Sequence, residues 1–74
     1  MVFDRITAMI EDVIGKGHKI TPDMHLMRDL ALDSLEIAEM LMDLEDEFET
    51  EIDEDDRGRI RTVADLVNVI ESKM

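Results

Sequence analysis

The sequence predicts an all-α protein: a small four-helix bundle with three main helices, one short helix, and a long loop between helices one and two. Apolar residues recur at the spacing of amphipathic helices, and no segment alternates apolar and polar residues over a useful length. Capping-box patterns precede two of the helical segments. The chain has 74 residues, enough for one small core, so we expect a single domain over residues 1–74.

The first helix is predicted over residues 2–14. Its apolar residues fall on one face at helical spacing: Val2, Phe3, Ile6, Met9, Ile10, Val13 and Ile14. Gly15 and Gly17 follow and are expected to end the helix, because glycine is the commonest residue just past a helix C-terminus.

Residues 16–32 are predicted to form the long loop. Thr21 and Pro22 are typical of an N-cap followed by a first-position proline, which is compatible with a short turn of helix within the loop. We expect three leucines to fix the loop to the core: Leu26, Leu30 and Leu32.

The second helix is predicted from Ser34 to about Phe48. Asp33 is a favourable N-cap, and Glu36 three residues later completes a capping box. Residues 53–59 favour a short third helix, weakened by Gly58.

The last helix is predicted to begin after Thr62, which forms another capping box with Asp65, and to run to about Ser72. Its apolar face consists of Val63, Leu66, Val67 and Ile70. Arg57, Arg59 and Arg61 alternate along the chain before it. They would not share a helical face, so we expect them to offset the local acidic charge.

The second helix has two apolar stripes when it is drawn at about 100° per residue. One is predicted to face the core and consists of Ile37, Met40, Leu41, Leu44 and Phe48. The other is offset around the helix, is flanked by acidic residues and consists of Leu35, Ala38 and Met42. An unusually wide core is one interpretation. The other is a docking surface with an apolar centre and an acidic rim, in which the second stripe is largely exposed.

Charge is the strongest compositional feature. The formal net charge is −12, and residues 29–56 contain 14 of the 20 acidic residues and no Lys or Arg. Nucleic acid is therefore an unexpected partner, and basic protein surfaces are expected ones. No segment has the apolar length of a membrane span. The absence of cysteine is compatible with a reducing cytosol, so we expect a cytoplasmic protein, and we expect a monomer.

Ser34 is the residue most suited to chemistry. At the first position of the second helix its hydroxyl is expected to project into solvent beside free backbone N–H groups, where the helix dipole favours an anion. Such a serine is suited to carrying a phosphodiester. No nearby residue can act as its base, and the chain has no metal cluster or phosphate-binding loop. We therefore expect neither an enzyme nor a metal site.

The residues around Ser34 resemble a known family. The segment 29–36, Asp-Leu-Ala-Leu-Asp-Ser-Leu-Glu, is similar to the Asp-Leu-Gly-Ala-Asp-Ser-Leu-Asp segment of bacterial acyl carrier proteins. The similarity continues in the same order through residues 44–48, 51–52 and 60–63 and covers nearly the whole chain. Ala31 and Leu32 replace the usual Gly-Ala. Because glycine is the residue that readily adopts positive φ, we expect this loop to take a different path.

The resemblance implies a carrier that catalyses nothing itself. It implies that Ser34 receives 4′-phosphopantetheine from coenzyme A through a phosphopantetheinyl transferase, and that Asp33 helps to hold the transferase's Mg²⁺. Acyl groups would then be held as thioesters on the arm. The synthase, transferase and reductase enzymes of fatty-acid, polyketide or related synthesis would dock through basic patches. The implied partner-binding residues are Leu35, Glu36, Ala38, Glu39, Met42, Glu45 and Asp46.

An alternative from another class needs no prosthetic group. In it, the chain is a small acidic helical adaptor that binds basic protein surfaces, and Ser34 is only the first residue of a helix. Attachment of the arm separates these two hypotheses.

Overall fold

Four helices and no strand make up the structure, a computed structural model that describes all of residues 1–74. The predicted all-α four-helix architecture is confirmed. Helix α1 packs against both α2 and α4. The bounds of the helices are α1 Val2–Ile14, α2 Ser34–Phe48, α3 Glu54–Arg59 and α4 Val63–Ser72.

Capping boxes begin both helices for which they were predicted. At α2, the Glu36 N–H donates to Asp33 Oδ1 at 2.7 Å, and the Asp33 N–H donates to Glu36 Oε1 at 2.9 Å. At α4, the Asp65 N–H donates to the Thr62 hydroxyl at 3.1 Å, and Asp65 accepts from the Thr62 N–H at 3.0 Å. Each box satisfies two backbone donors, which fixes the first residue of the helix.

A third capping box, which was not predicted, begins α3. The Asp56 N–H donates to Asp53 Oδ1 at 2.8 Å, and the Asp53 N–H donates back to Asp56 Oδ2 at 3.2 Å. Asp56 is buried and forms an ion pair with Lys73 Nζ at 2.7 Å. The hydrogen bond from Lys73 holds the pKa of Asp56 below its usual range. This pair connects the short helix to the end of α4.

The core lies between the helices and the long loop. The three loop leucines are buried, as predicted. Val13 is the exception to the predicted face of α1: it is 42% exposed, beside the cleft between α1 and α2. The core residues that are no more than 2% exposed are Ile6, Ile10, Leu26, Leu32, Leu44, Val63, Leu66 and Ile70.

Thr21 and Pro22 begin a single turn, which does not continue into a helix. The Thr21 hydroxyl donates to Asp23 at 2.6 Å, and the Met24 N–H donates to the Thr21 carbonyl at 3.2 Å. A second turn follows, in which the Asp29 N–H donates to the His25 carbonyl at 2.9 Å. The first turn does not continue because the carbonyls of Pro22 and Met24 accept hydrogen bonds from the start of α4 instead.

Backbone bonds join the loop to the first turn of α4. The Val63 N–H donates to the Met24 carbonyl at 3.0 Å, and the Ala64 N–H donates to the Pro22 carbonyl at 2.8 Å. The first N–H groups of a helix have no partner within it, and the loop supplies two of the missing acceptors. The loop is thereby fixed to the last helix, and it ends directly before Ser34.

Ala31 adopts positive φ, a conformation that glycine reaches more easily than alanine. Its φ is +58°, in the left-handed region. Its neighbours Leu30 and Leu32 are both buried, and the Leu32 N–H donates to the Leu26 carbonyl at 3.0 Å. This anchoring on both sides holds the alanine in a conformation that costs an L-residue about 1–2 kcal/mol. Alanine therefore adopts positive φ here in spite of this cost, and the different path expected for the loop stays a prediction.

Candidate functional site

Ser34 is the first residue of α2 and is exposed. The side chains on either side of it in the first turn, Asp33 and Glu36, bond to each other's backbone N–H groups rather than to the serine. The serine is therefore held at a fixed point of the backbone, and its side chain lies at the surface.

The start of α2 is compatible with an anion on the Ser34 oxygen. Asp33 satisfies the Glu36 N–H, and the Ile37 N–H donates to the Asp33 carbonyl at 3.0 Å. The N–H groups of Ser34 and Leu35 precede the first donors of the helical ladder, so they and the helix dipole favour negative charge here. A phosphodiester is such a group.

A groove of about 200 Å³ adjoins Ser34. The loop, α2 and the region of α3 each contribute to its walls, which are mostly apolar. The lining residues are Met27, Ser34, Ile37, Ala38, Leu41, Arg57 and Ile60. Because these residues come from three separate segments, the groove has no signature in any one stretch of sequence.

The second apolar stripe of α2 is not covered by the core. Leu35 is 68% exposed and Met42 is 58% exposed, as predicted. Ala38 differs from the prediction: it is half-buried, because it faces the groove toward α3 rather than open solvent.

The core-facing stripe is buried at Met40, Leu41 and Leu44, while Ile37 and Phe48 are only partly buried against the core. The interpretation of the second stripe as part of a wide core is thus contradicted at Leu35 and Met42.

The residues of the predicted acidic rim differ in their exposure and contacts. Asp46 and Glu39 are exposed, and Glu39 lines a cleft of about 310 Å³ between α1 and α2. Glu45 is half-buried, and its carboxylate accepts the Ile52 N–H at 2.7 Å. Glu45 therefore also holds the connection that leads from α2 to α3.

No group of three His, Asp or Glu residues is arranged to hold a metal ion. No helix has the length and apolar character needed to cross a membrane.

Comparison with known proteins identifies the protein family to which the chain belongs. Residues 4–70 match the family described as "phosphopantetheine attachment site". The chain belongs to this family, whose domains carry covalently attached 4′-phosphopantetheine. The cofactor implied by the sequence resemblance is thereby confirmed.

The structural comparison narrows the class to the acyl carrier proteins. A solved structure of "a putative acyl carrier protein" from Mycobacterium tuberculosis is 30% identical to this chain, with a TM-score of 0.89 over 97% of each chain. The fold and the family together define an acyl carrier, not a catalytic enzyme. Of the two classes that the sequence left open, the carrier is therefore the supported one. An acyl carrier domain interacts with a phosphopantetheinyl transferase and with synthesis enzymes.

Arg57 belongs to this site although its place was not predicted. The sequence indicates only that it offsets nearby acid, yet it lines the groove beside Ser34. The sequence does show that Arg57 and Arg59 lie on opposite sides of the short α3. Which of the two faces Ser34 is known only once the packing of α3 beside α2 is known.

Proposed function

We propose that Ser34 is the attachment site of the 4′-phosphopantetheine arm and that residues 1–74 form a single acyl carrier domain. The observation that supports this most strongly is the exposed hydroxyl at the capped start of α2. The arm supplies a thiol to which acyl groups are joined as thioesters. The protein's own contribution is to present the attachment oxygen at a fixed and accessible point.

The other serine of the chain is a poor attachment site. Ser72 lies at the last position of α4, and its hydroxyl donates to the Val69 carbonyl at 2.7 Å. The negative end of the helix dipole disfavours a phosphodiester there. Ser34 lies at the opposite, favourable end of its helix.

Asp33 is proposed to assist the modification. Its Oδ1 atom accepts the Glu36 N–H, which fixes the carboxylate beside Ser34. Its other oxygen has no role in the cap and is a suitable ligand for the Mg²⁺ of a phosphopantetheinyl transferase, since Mg²⁺ prefers carboxylate oxygens.

The exposed side of α2 is proposed as the docking surface for the transferase and for acyl synthase, transferase and reductase enzymes. Leu35 and Met42 form its apolar centre. Basic patches on the enzymes would complement the acidic charge, which favours rapid encounter. The surrounding residues in this proposal are Glu36, Ala38, Glu39, Glu45 and Asp46.

The proposed setting is a monomeric, cytoplasmic carrier that delivers acyl groups in fatty-acid, polyketide or related lipid synthesis. The family membership supports the carrier role, and the acidic charge of residues 29–56 supports partners with basic surfaces.

Peptide mapping tests the attachment site. The purified protein is incubated with coenzyme A and a broad-specificity phosphopantetheinyl transferase, then cleaved and fragmented in a mass spectrometer. We expect one phosphopantetheine unit per chain, located on Ser34. Location of the unit on any other residue would contradict the assignment.

A further inference from the structure

Arg57 is the only charged residue among those that line the groove beside Ser34. The ion pairs of the chain join Arg5 to Glu47, and Asp56 to Arg59 and Lys73, so Arg57 takes part in none of them. An unpaired guanidinium is notable in a protein with a net charge of −12. It gives an otherwise apolar groove one cationic wall.

The neighbouring arginine of α3 has different surroundings. Arg59 lies two residues on, roughly 200° around the helix, and lines a separate hollow against α4. Its guanidinium is 3.7 Å from Asp56. The two arginines of one helix therefore face different parts of the molecule, and only Arg57 shares a groove with Ser34.

The arm proposed for Ser34 would bring an anion into this groove. Its phosphorus is bonded directly to the serine oxygen, so the phosphodiester lies next to a residue that lines the groove. The pantoate portion, which carries two geminal methyl groups, comes next along the arm. Arginine is the side chain whose planar donors best match phosphate oxygens.

The groove also fits the size of the near end of the arm. Its volume is about 200 Å³, whereas an apolar cavity of roughly 150 Å³ binds benzene. The groove is therefore large enough for a compact group such as the two geminal methyl groups. Met27, Ile37 and Ile60 provide apolar surface beside the cation.

We propose that Arg57 binds the phosphodiester of the arm and that the apolar walls of the groove pack against its geminal methyl groups. Arg57 is a positioning residue: it directs the near end of the arm along the groove between α2 and α3. It also offsets the negative charge that modification adds. This inference rests on the proposed attachment at Ser34.

The test compares Arg57→Gln with Arg59→Gln in the modified protein carrying a free thiol. Without an acyl group, the phosphodiester is the only anion of the arm, which excludes a carboxylate cargo as the source of any effect. The readouts are the ³¹P chemical shift of the phosphodiester and the NMR shifts of the geminal methyl groups. Both variants remove one positive charge from α3, and circular dichroism checks that both remain folded.

We expect Arg57→Gln to move these resonances most of the way to their values in a short modified peptide around Ser34, which carries the same phosphodiester without the groove, and Arg59→Gln to leave them near the wild-type values. We also expect modification to lower the melting temperature more in Arg57→Gln than in the wild type. Equal spectra for wild type and Arg57→Gln, or equal displacement by both variants, would overturn the role of Arg57 while leaving Ser34 attachment intact. Absence of the arm from Ser34 by peptide mapping would overturn both.

Discussion

The two sides of α2 differ in what surrounds them. On the inner side, Met40, Leu41 and Leu44 are buried against the other helices and the loop. On the outer side, Leu35 and Met42 are exposed, although they are as apolar as the inner residues. Both sides follow the same helical periodicity, so the difference comes from which side the rest of the chain covers.

This difference shows that an apolar residue of α2 can serve two purposes. A buried side chain contributes to folding because its apolar surface leaves water. An exposed one contributes little to folding, yet it retains apolar surface that a partner can cover. Substitutions on the two sides should therefore separate stability from carrier function.

The largest effect is expected on the inner side. Leu44 is completely buried, so Leu44→Ala should lower the free energy of unfolding by roughly 2–5 kcal/mol, because it removes buried methyl groups and leaves a cavity. Chemical denaturation followed by circular dichroism measures this change. A loss below about 0.5 kcal/mol would mean that the inner side is not core.

A smaller effect, of opposite sign, is expected where the loop enters α2. Ala31→Gly should raise the free energy of unfolding by about 1 kcal/mol, because glycine adopts positive φ without the cost that alanine bears. The same denaturation experiment measures it. Ala64→Gly, inside α4, is the matched control and should lower stability by about 1 kcal/mol, since glycine is unfavourable in a helix. If the two variants changed stability in the same direction, the left-handed conformation assigned to Ala31 would be wrong.

The smallest effect on stability is expected on the outer side. Met42→Ala should change the free energy of unfolding by less than about 0.5 kcal/mol, because the side chain is already largely exposed. It should nevertheless lower the rate at which partner enzymes modify or acylate the protein, since exposed apolar anchors supply much of the energy of a small interface. Transfer kinetics and thermal melting on the same samples provide the comparison. If Met42→Ala lowered the melting temperature as much as Leu44→Ala, or left the transfer rate unchanged, Met42 would not be part of the docking surface.

The sequence predicted most of the helices because their signals are local. Capping residues such as Asp33 and Thr62 lie within three residues of their partners, and the apolar spacing is a property of one segment. The path of the loop was not predictable in this way. Its hydrogen bonds reach from Met24 to Val63, and this long-range pairing limits the turn at Pro22 to a single one.

The candidate site shows the same division. The position and exposure of Ser34 followed from the local cap of α2. The partial burial of Ala38 and the placement of Arg57 depend on how α3 packs beside α2, which no single segment encodes. The sequence alone therefore indicated the proposed attachment residue, Ser34, but not the groove beside it.

The most direct test of the attachment claim is the intact mass of two variants after incubation with coenzyme A and a phosphopantetheinyl transferase. Ser34→Ala removes the exposed hydroxyl at the start of α2, and Ser72→Ala removes the hydroxyl at the end of α4. We predict that Ser72→Ala gains the mass of one phosphopantetheine unit, as the wild type does, and that Ser34→Ala gains none while keeping its helical circular dichroism signal. A folded Ser34→Ala protein that still gains the unit would contradict the account.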